Sequence, residues 1–154
     1  MGRSGIGVDS HRFAAGRRLV LGGVEILHDE GLAGHSDADV LAHAIIDALL
    51  GAAGLGDIGR HFPDTDERWR DADSMDLLRA AVGQVAGAGW AVAHVDATVM
   101  LERPKLAPHR DEISASLGAV LGSVNVKFTT AERMGFVGRG EGVAALAVAT
   151  LEPS

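Results

Sequence analysis

Apolar residues repeat in two patterns along this 154-residue chain, and the switches between them mark out its elements. Over residues 5–11, Ile6 and Val8 alternate with Gly7, Asp9 and His11, as in a strand with one buried face. Asp9 and His11 therefore share a side. Residues 19–21 and 24–26 are apolar and flank Gly22 and Gly23, the pattern of a two-residue hairpin, and a loop is expected over 28–33. The period then lengthens. Val40, Leu41, Ala44, Ile45, Ala48 and Leu49 recur at helical spacing in a segment read as helix from 34 to about 50. His43 and Asp47 put a polar stripe on this mostly buried helix, and such groups need partners from elsewhere in the chain.

Residues 51–59 are too rich in glycine to continue the helix, and 61–66 read as an ordered turn placed to close over a ligand. Asp73 and Ser74 cap a second helix with an apolar face of Leu77, Leu78, Ala81, Val82 and Val85, stopped by Gly87 and Gly89. Alternation returns over 90–101 as a long strand, followed by an exit loop at 102–108. A third helix is expected over 109–121, then a strand through Val124, Val126 and Phe128, and a last strand over 143–151. This order implies one α/β (α+β) domain, residues 1–154, with a mixed and mainly four-stranded sheet, a small hairpin, and helices on one face. The last strand is apolar on both faces, which implies that other subunits cover the free face of the sheet.

Composition narrows the class. A net charge of -7, a pI near 5.4 and 14 scattered basic residues exclude an electrostatic nucleic-acid binder. Aromatic residues at 4% give no base-stacking platform. Without cysteine there is neither a disulfide framework nor a thiolate metal site, so any transition metal must use His, Asp and Glu. No apolar run approaches membrane-spanning length and the first residues contain no signal-like apolar stretch, so a cytoplasmic protein with no membrane partner is expected.

Asp9, His11 and His43 supply three ligands of the number and type that leave a tetrahedral zinc one open position, with Asp39 or Asp47 placed to orient the second nitrogen of His43. Spacing alone equally fits the commoner case of a hydrogen-bonded histidine and an aspartate turn cap. Asp57, Asp64 and Asp66 suit the hydroxyls of a small polar ligand or a hydrated magnesium ion, and suit turn capping as well. Thr129, Thr130 and Glu132 at a strand exit, with Lys105, suit a magnesium-bridged diphosphate or a solvated loop. Residues 138–142 (GRGEG) read as a tight turn.

These pieces together resemble the 2-C-methyl-D-erythritol 2,4-cyclodiphosphate synthase family of the non-mevalonate isoprenoid pathway. The matching stretches are GVDSHRF (7–13), GHSDADVLAHAIIDALLGAAGLGDIG (34–59), FPDTD (62–66), RPKLAPH (103–109) and TTAERMGFVGRGEG (129–142). The resemblance implies zinc on Asp9, His11 and His43, and magnesium or manganese on the diphosphate with Glu132. It implies catalytic roles beside the phosphates for His35 and Thr130, and substrate contacts from Ser10 and Ser36. Asp57, Ile58, Gly59, Phe62, Pro63, Asp64, Thr65 and Asp66 would hold the methylerythritol part. Leu101, Glu102, Arg103, Pro104, Lys105, Leu106 and Ala107 would form the cytidine pocket, completed by Thr129, Thr130, Ala131 and Glu132. Phe136 and Arg139 would reach the centre of a homotrimer whose sheets face its axis and whose active sites lie between subunits. Ala131 stands where many similar sequences carry a third threonine, removing one hydroxyl beside the nucleotide. The implied reaction converts 4-diphosphocytidyl-2-C-methyl-D-erythritol 2-phosphate to the cyclodiphosphate and CMP. Two rivals use the same residues: a metal-dependent nucleotide phosphohydrolase, and a non-catalytic isoprenoid- or nucleotide-binding trimer.

Overall fold

Two glycines on the first strand decide how the molecule is layered. In a computed structural model describing residues 1–154, strand β1 (Arg3–Ala15) lies directly against helix α1 (Val40–Ala53). A Cβ on Gly7 would collide with the carbonyl oxygen of Ala44, and one on Gly5 with that of Ala48. Backbone thus packs on backbone. The alternation read over 5–11 is real, but its glycine face is the covered one: Ile6 and Val8 remain 63% and 60% exposed on the other side.

Behind β1 come β2 (Leu19–Leu21) and β3 (Val24–Ile26), an antiparallel pair whose turn residues Gly22 and Gly23 have φ of 59° and 78°. The expected loop at 28–33 instead contains a strand, β4 (Glu30–Leu32), paired with the far end of β1 at Phe13 and Leu32. Three residues are too few to show a period. With β5 (Trp90–Met100), β6 (Val124–Thr129) and β7 (Gly142–Pro153), the sheet has five strands rather than four, in the order β4-β1-β7-β5-β6. Only β5 and β6 run parallel.

Helix α1 begins at Val40, not at 34, because residues 34–39 form an irregular loop that ends in the N-cap Asp39. The Asp39 carboxylate is fully buried and accepts from Ala42 N (3.0 Å), Gly22 N (2.9 Å) and Gly23 N (2.8 Å), pinning the hairpin tip to the helix start. Burial pushes its carboxyl up to about 6 against the pull of those three donors. The short α2 (Ile58–His61) is capped by Asp57, and α3 (Ser74–Gly87) by Asp73. Helix α4 (Arg110–Leu121) and the single turn α5 (Gly135–Gly138) complete the chain.

One apolar core of 36 residues, from Leu19 to Leu151, fills the space between helices and sheet. Strand β7 sends Val143, Ala145, Ala147, Ala149 and Leu151 into it, while Leu146 and Val148 stand 37% and 44% exposed opposite Val8 and Ile6. The sheet is therefore apolar on both faces at its centre, as read from the sequence. No helix is long and apolar enough to cross a membrane.

Candidate metal centre and active site

Strand alternation turns Asp9 and His11 toward α1, where His43 meets them one turn beyond the helix start. Asp9 Oδ2 lies 2.8 Å from His11 Nε2 and 3.2 Å from His43 Nδ1, and the two ring nitrogens are 3.4 Å apart. Ligand atoms around a tetrahedral zinc stand about 3.3 Å from one another. The separations of the three residues are thus close to those of ligands around one divalent cation, and the potential ligand atoms all fall within 4.8 Å of one another. His11 donates its Nδ1–H to the Ala33 carbonyl (2.9 Å), which turns the lone pair of Nε2 toward the cluster.

Charge is concentrated here. Burial acts against ionising Asp9, yet hydrogen bonds and charge from His11 and His43 outweigh it and hold the carboxyl at about 2. Burial likewise pulls His11 down, but the bond and charge of Asp9 and the Ala33 carbonyl outweigh it and raise the imidazole above its ordinary value.

Neither carboxylate expected to orient His43 does so. Asp39 is committed to the hairpin and helix cap, and Asp47 Oδ1 accepts from Ile58 N at 3.0 Å, fixing the start of α2. The second nitrogen of His43 instead meets Ser74 Oγ at 2.8 Å and Ser36 Oγ at 3.1 Å. Ser74 lies outside the matching stretches, and Asp37, although inside one of them, has nothing in the sequence to mark Ser74 as its partner. The capped helix start at Ser74 is legible, but not the face it meets.

The cluster opens into a cavity of about 370 Å³. His35 and Ser36 line it beside the cluster, Ile58, Gly59, Phe62, Pro63 and Asp64 form the opposite wall, and Trp69 and Leu77, which sequence reasoning missed, close it behind. Phe62 stands edge-on to Trp69 at 5.2 Å, stiffening that wall. His35 Nε2 donates to the Asp66 carbonyl at 3.1 Å, tying the two walls together. The carboxylates of Asp57 and Asp66 are engaged by Arg60 N and by Arg68, so both act as turn caps. Asp64 alone of the three faces the cavity. Thr65 lies in the turn between, outside the lining.

A second group forms where the parallel strands β5 and β6 end side by side, Leu101 N donating to Thr129 O at 3.0 Å. Leu101 and Leu106 are buried and anchor the loop between them, in which Arg103 and Lys105 are exposed and Pro104 half-buried, with Ala107 exposed just after it. Glu102 Oε1 accepts from Ala131 N at 2.6 Å and so holds the 129–132 turn, in which Glu132 has a φ of 51°. Thr130 Oγ1 accepts from Glu132 N at 3.4 Å. Lys105, Thr130 and Glu132 are exposed at this end. None of them lines the first cavity, because β6 lies three strands from β1, about 14 Å across the sheet. Ser10 and Phe136 belong to neither group: they line a separate hollow of about 240 Å³ on the free sheet face, with Arg139 exposed nearby and paired to Glu141 at 3.3 Å.

Fold and cluster together define a helix-covered mixed sheet that carries an Asp/His/His group able to hold a divalent metal. The chain belongs to the YgbB family, which it matches over residues 2–152. It is 60% identical to a 2-C-methyl-D-erythritol 2,4-cyclodiphosphate synthase of Salinibacter ruber, over 97% of this chain and 98% of that one. It is 62% identical over 96% of its length to a bifunctional enzyme IspD/IspF of Anaeromyxobacter sp., of which it spans 39%. Among solved structures, a CDP-bound form of 2C-methyl-D-erythritol-2,4-cyclodiphosphate synthase superposes with a TM-score of 0.89 at 41% identity, covering 97% of this chain and all of that one.

Proposed function

We propose that the chain is a cyclodiphosphate synthase, a phosphorus–oxygen lyase acting on 4-diphosphocytidyl-2-C-methyl-D-erythritol 2-phosphate. The observation that carries this is the Asp9, His11 and His43 cluster at the mouth of the 370 Å³ cavity, in a chain 60% identical to a synthase of that name. An oxygen of the 2-phosphate bonds to the β-phosphorus, the bond from that phosphorus to the bridging oxygen breaks, and CMP leaves with the electron pair. The attacking group is already an anion, so no side-chain base is required. Holding it against the phosphorus is worth on the order of 7 kcal/mol or more.

Asp9, His11 and His43 would hold zinc, which their one-oxygen, two-nitrogen set suits. When bound, the metal supplies positive charge to the phosphates and polarises them. Glu132 offers an exposed carboxylate of the kind that holds magnesium or manganese jointly with substrate phosphates. His35 and Thr130 flank the phosphates, with Lys105 as their fixed cation. Ile58, Phe62 and Pro63 give the methylerythritol part an apolar wall, and Asp64 accepts from its hydroxyls. Backbone groups of residues 101–107 face the cytosine, held in place by the buried Leu101 and Leu106.

The working unit in this reading is a cytoplasmic homotrimer of single domains, residues 1–154, with sites shared between neighbours. The exposed apolar stripe of Ile6, Val8, Leu146 and Val148 supports the assembly. The separation of about 14 Å between the metal cluster and the β5–β6 loops supports a shared site, since neither group alone makes a complete one. Phosphorus NMR of protein incubated with the substrate and magnesium tests the reaction. CMP with a coupled cyclic diphosphate pair is expected. CMP with an acyclic diphosphate would replace this reading with a hydrolase, and unchanged substrate with a binding protein.

A further inference from the structure

The hydrogen bonds around Asp37 determine which nitrogen of His43 carries its proton. The Asp37 carboxylate accepts from the backbone N–H of Asp39 (3.1 Å), from that of Ser74 (3.0 Å), and from the Ser74 hydroxyl. A carboxylate has only lone pairs to offer, so the single hydroxyl proton of Ser74 points at Asp37. Ser74 Oγ can then only accept from its other neighbour, His43 Nε2, at 2.8 Å. Nε2 is therefore the N–H nitrogen. In the neutral ring the lone pair falls on Nδ1, the atom 3.2 Å from Asp9 Oδ2 and 3.4 Å from His11 Nε2. Ser36 Oγ, at 3.1 Å from the same Nε2, is the longer contact and itself accepts from Ala38 N.

The relay is built rather than incidental. Asp37 N donates to Ala72 O (3.1 Å) and Asp71 N to His35 O (2.9 Å), so the loop before α1 is laced to the segment leading into α3. The Asp73 cap then fixes Ser74 at the first position of α3, fully buried. The loop before α1 and the start of α3, 37 residues apart at Asp37 and Ser74, thus meet on one ring nitrogen.

We propose that Asp37 and Ser74 are positioning residues that hold His43 as its Nε2–H tautomer and so present the Nδ1 lone pair to a divalent cation. This rests on reading the Asp9, His11 and His43 cluster as a metal centre. A hydrogen-bonded partner on the outer nitrogen of a ligating histidine fixes its tautomer and ring orientation, and its loss commonly weakens metal binding.

The first experiment needs no variant of the relay. Long-range proton–nitrogen correlation spectra of metal-free wild-type protein, at a pH above the histidine range and with His43 assigned through His43→Gln, read the tautomer directly. A protonated Nε2 and an unprotonated Nδ1 are expected, and the reverse would overturn the proposal. The second experiment is zinc affinity by chelator competition on the whole protein. Ser74→Ala should bind zinc about ten- to hundredfold more weakly, and Ser74→Thr, which keeps the hydroxyl, within about threefold of wild type. Wild-type affinity in a folded Ser74→Ala would refute the relay. If that variant does not fold, the wild-type spectrum decides alone. Failure of the wild type to bind zinc would remove the metal-centre reading instead, and the proposal with it. A reversed tautomer in a protein that binds zinc tightly would remove only the proposal.

Discussion

Asp9 is the charge at the centre of the Asp9, His11 and His43 group, and its partner His11 responds to pH in a way that would separate metal-free from metal-loaded protein. Held at about 2, Asp9 contributes stability that is present above the ordinary carboxylate range and is lost only as pH falls toward that value. His11 has the opposite sign: raised by Asp9, it adds stability that is full below about 6.5 and is lost as pH rises through its own higher value. Metal binding needs the neutral ring, so it strengthens over the same interval. Melting curves of chelator-treated protein should therefore shift to lower temperature between about pH 6 and pH 8, while the gain conferred by added zinc grows. A chelated sample that becomes more stable across that window would contradict the pairing. His43→Ala removes one of the three candidate ligands from a helix otherwise held by apolar packing, so zinc affinity and turnover should fall together by about a hundredfold or more while far-ultraviolet circular dichroism stays native. Retained activity would refute the zinc role. The three ligands are legible in the sequence because a period of two aligns Asp9 with His11 and the family motif supplies His43. Asp37 and Ser74 are not, since a hydrogen bond between segments 37 residues apart leaves no local pattern.

At the scale of elements, the contact of β1 with α1 sets the position of every ligand. Gly7→Ala would push a methyl group into the Ala44 carbonyl, a backbone atom that cannot swing aside, and should destabilise the protein by about 3 kcal/mol or more. Gly51→Ala, on the same helix but with open space around its Cβ, should stabilise it by about 0.5–1 kcal/mol. Chemical denaturation of both variants checks the pair, and equal effects would mean that the close approach does not matter. The same contact explains where periodicity stops being informative. Alternation over residues 5–11 shows which side chains share a face, but the usual rule buries Ile6 and Val8, whereas close backbone packing selects the glycine face for the helix. The long helices and strands follow from their patterns. Strand β4 does not, because three residues paired only to the end of β1 obey the demands of the chain crossing behind them.

At the scale of the whole molecule, the proposed reading leaves one chain short of a complete site, and this can be tested without a structure of the assembly. The metal cluster and the Thr130 and Glu132 turn lie at the same end of the sheet but three strands apart, since β7 and β5 intervene. If a neighbour supplies the second group, each site draws its histidines from one subunit and Glu132 from another. His43→Ala and Glu132→Ala, each inactive alone, then complement one another when co-expressed. Random assembly of equal amounts leaves about a quarter of the sites with both groups intact, so about a quarter of wild-type activity should return. A site contained within one subunit would give none, because every chain in the mixture carries one lesion. The apolar stripe supplies the control. Leu146→Lys places a charge at its centre, opposite Val8, and should lower the mass measured by light scattering toward that of one chain. Introduced into both complementing chains, it should abolish the recovered activity while the Asp9, His11 and His43 cluster, on the other face of the sheet, still binds zinc. Recovery that survives loss of the measured assembly would mean that the two groups meet across a contact other than this stripe.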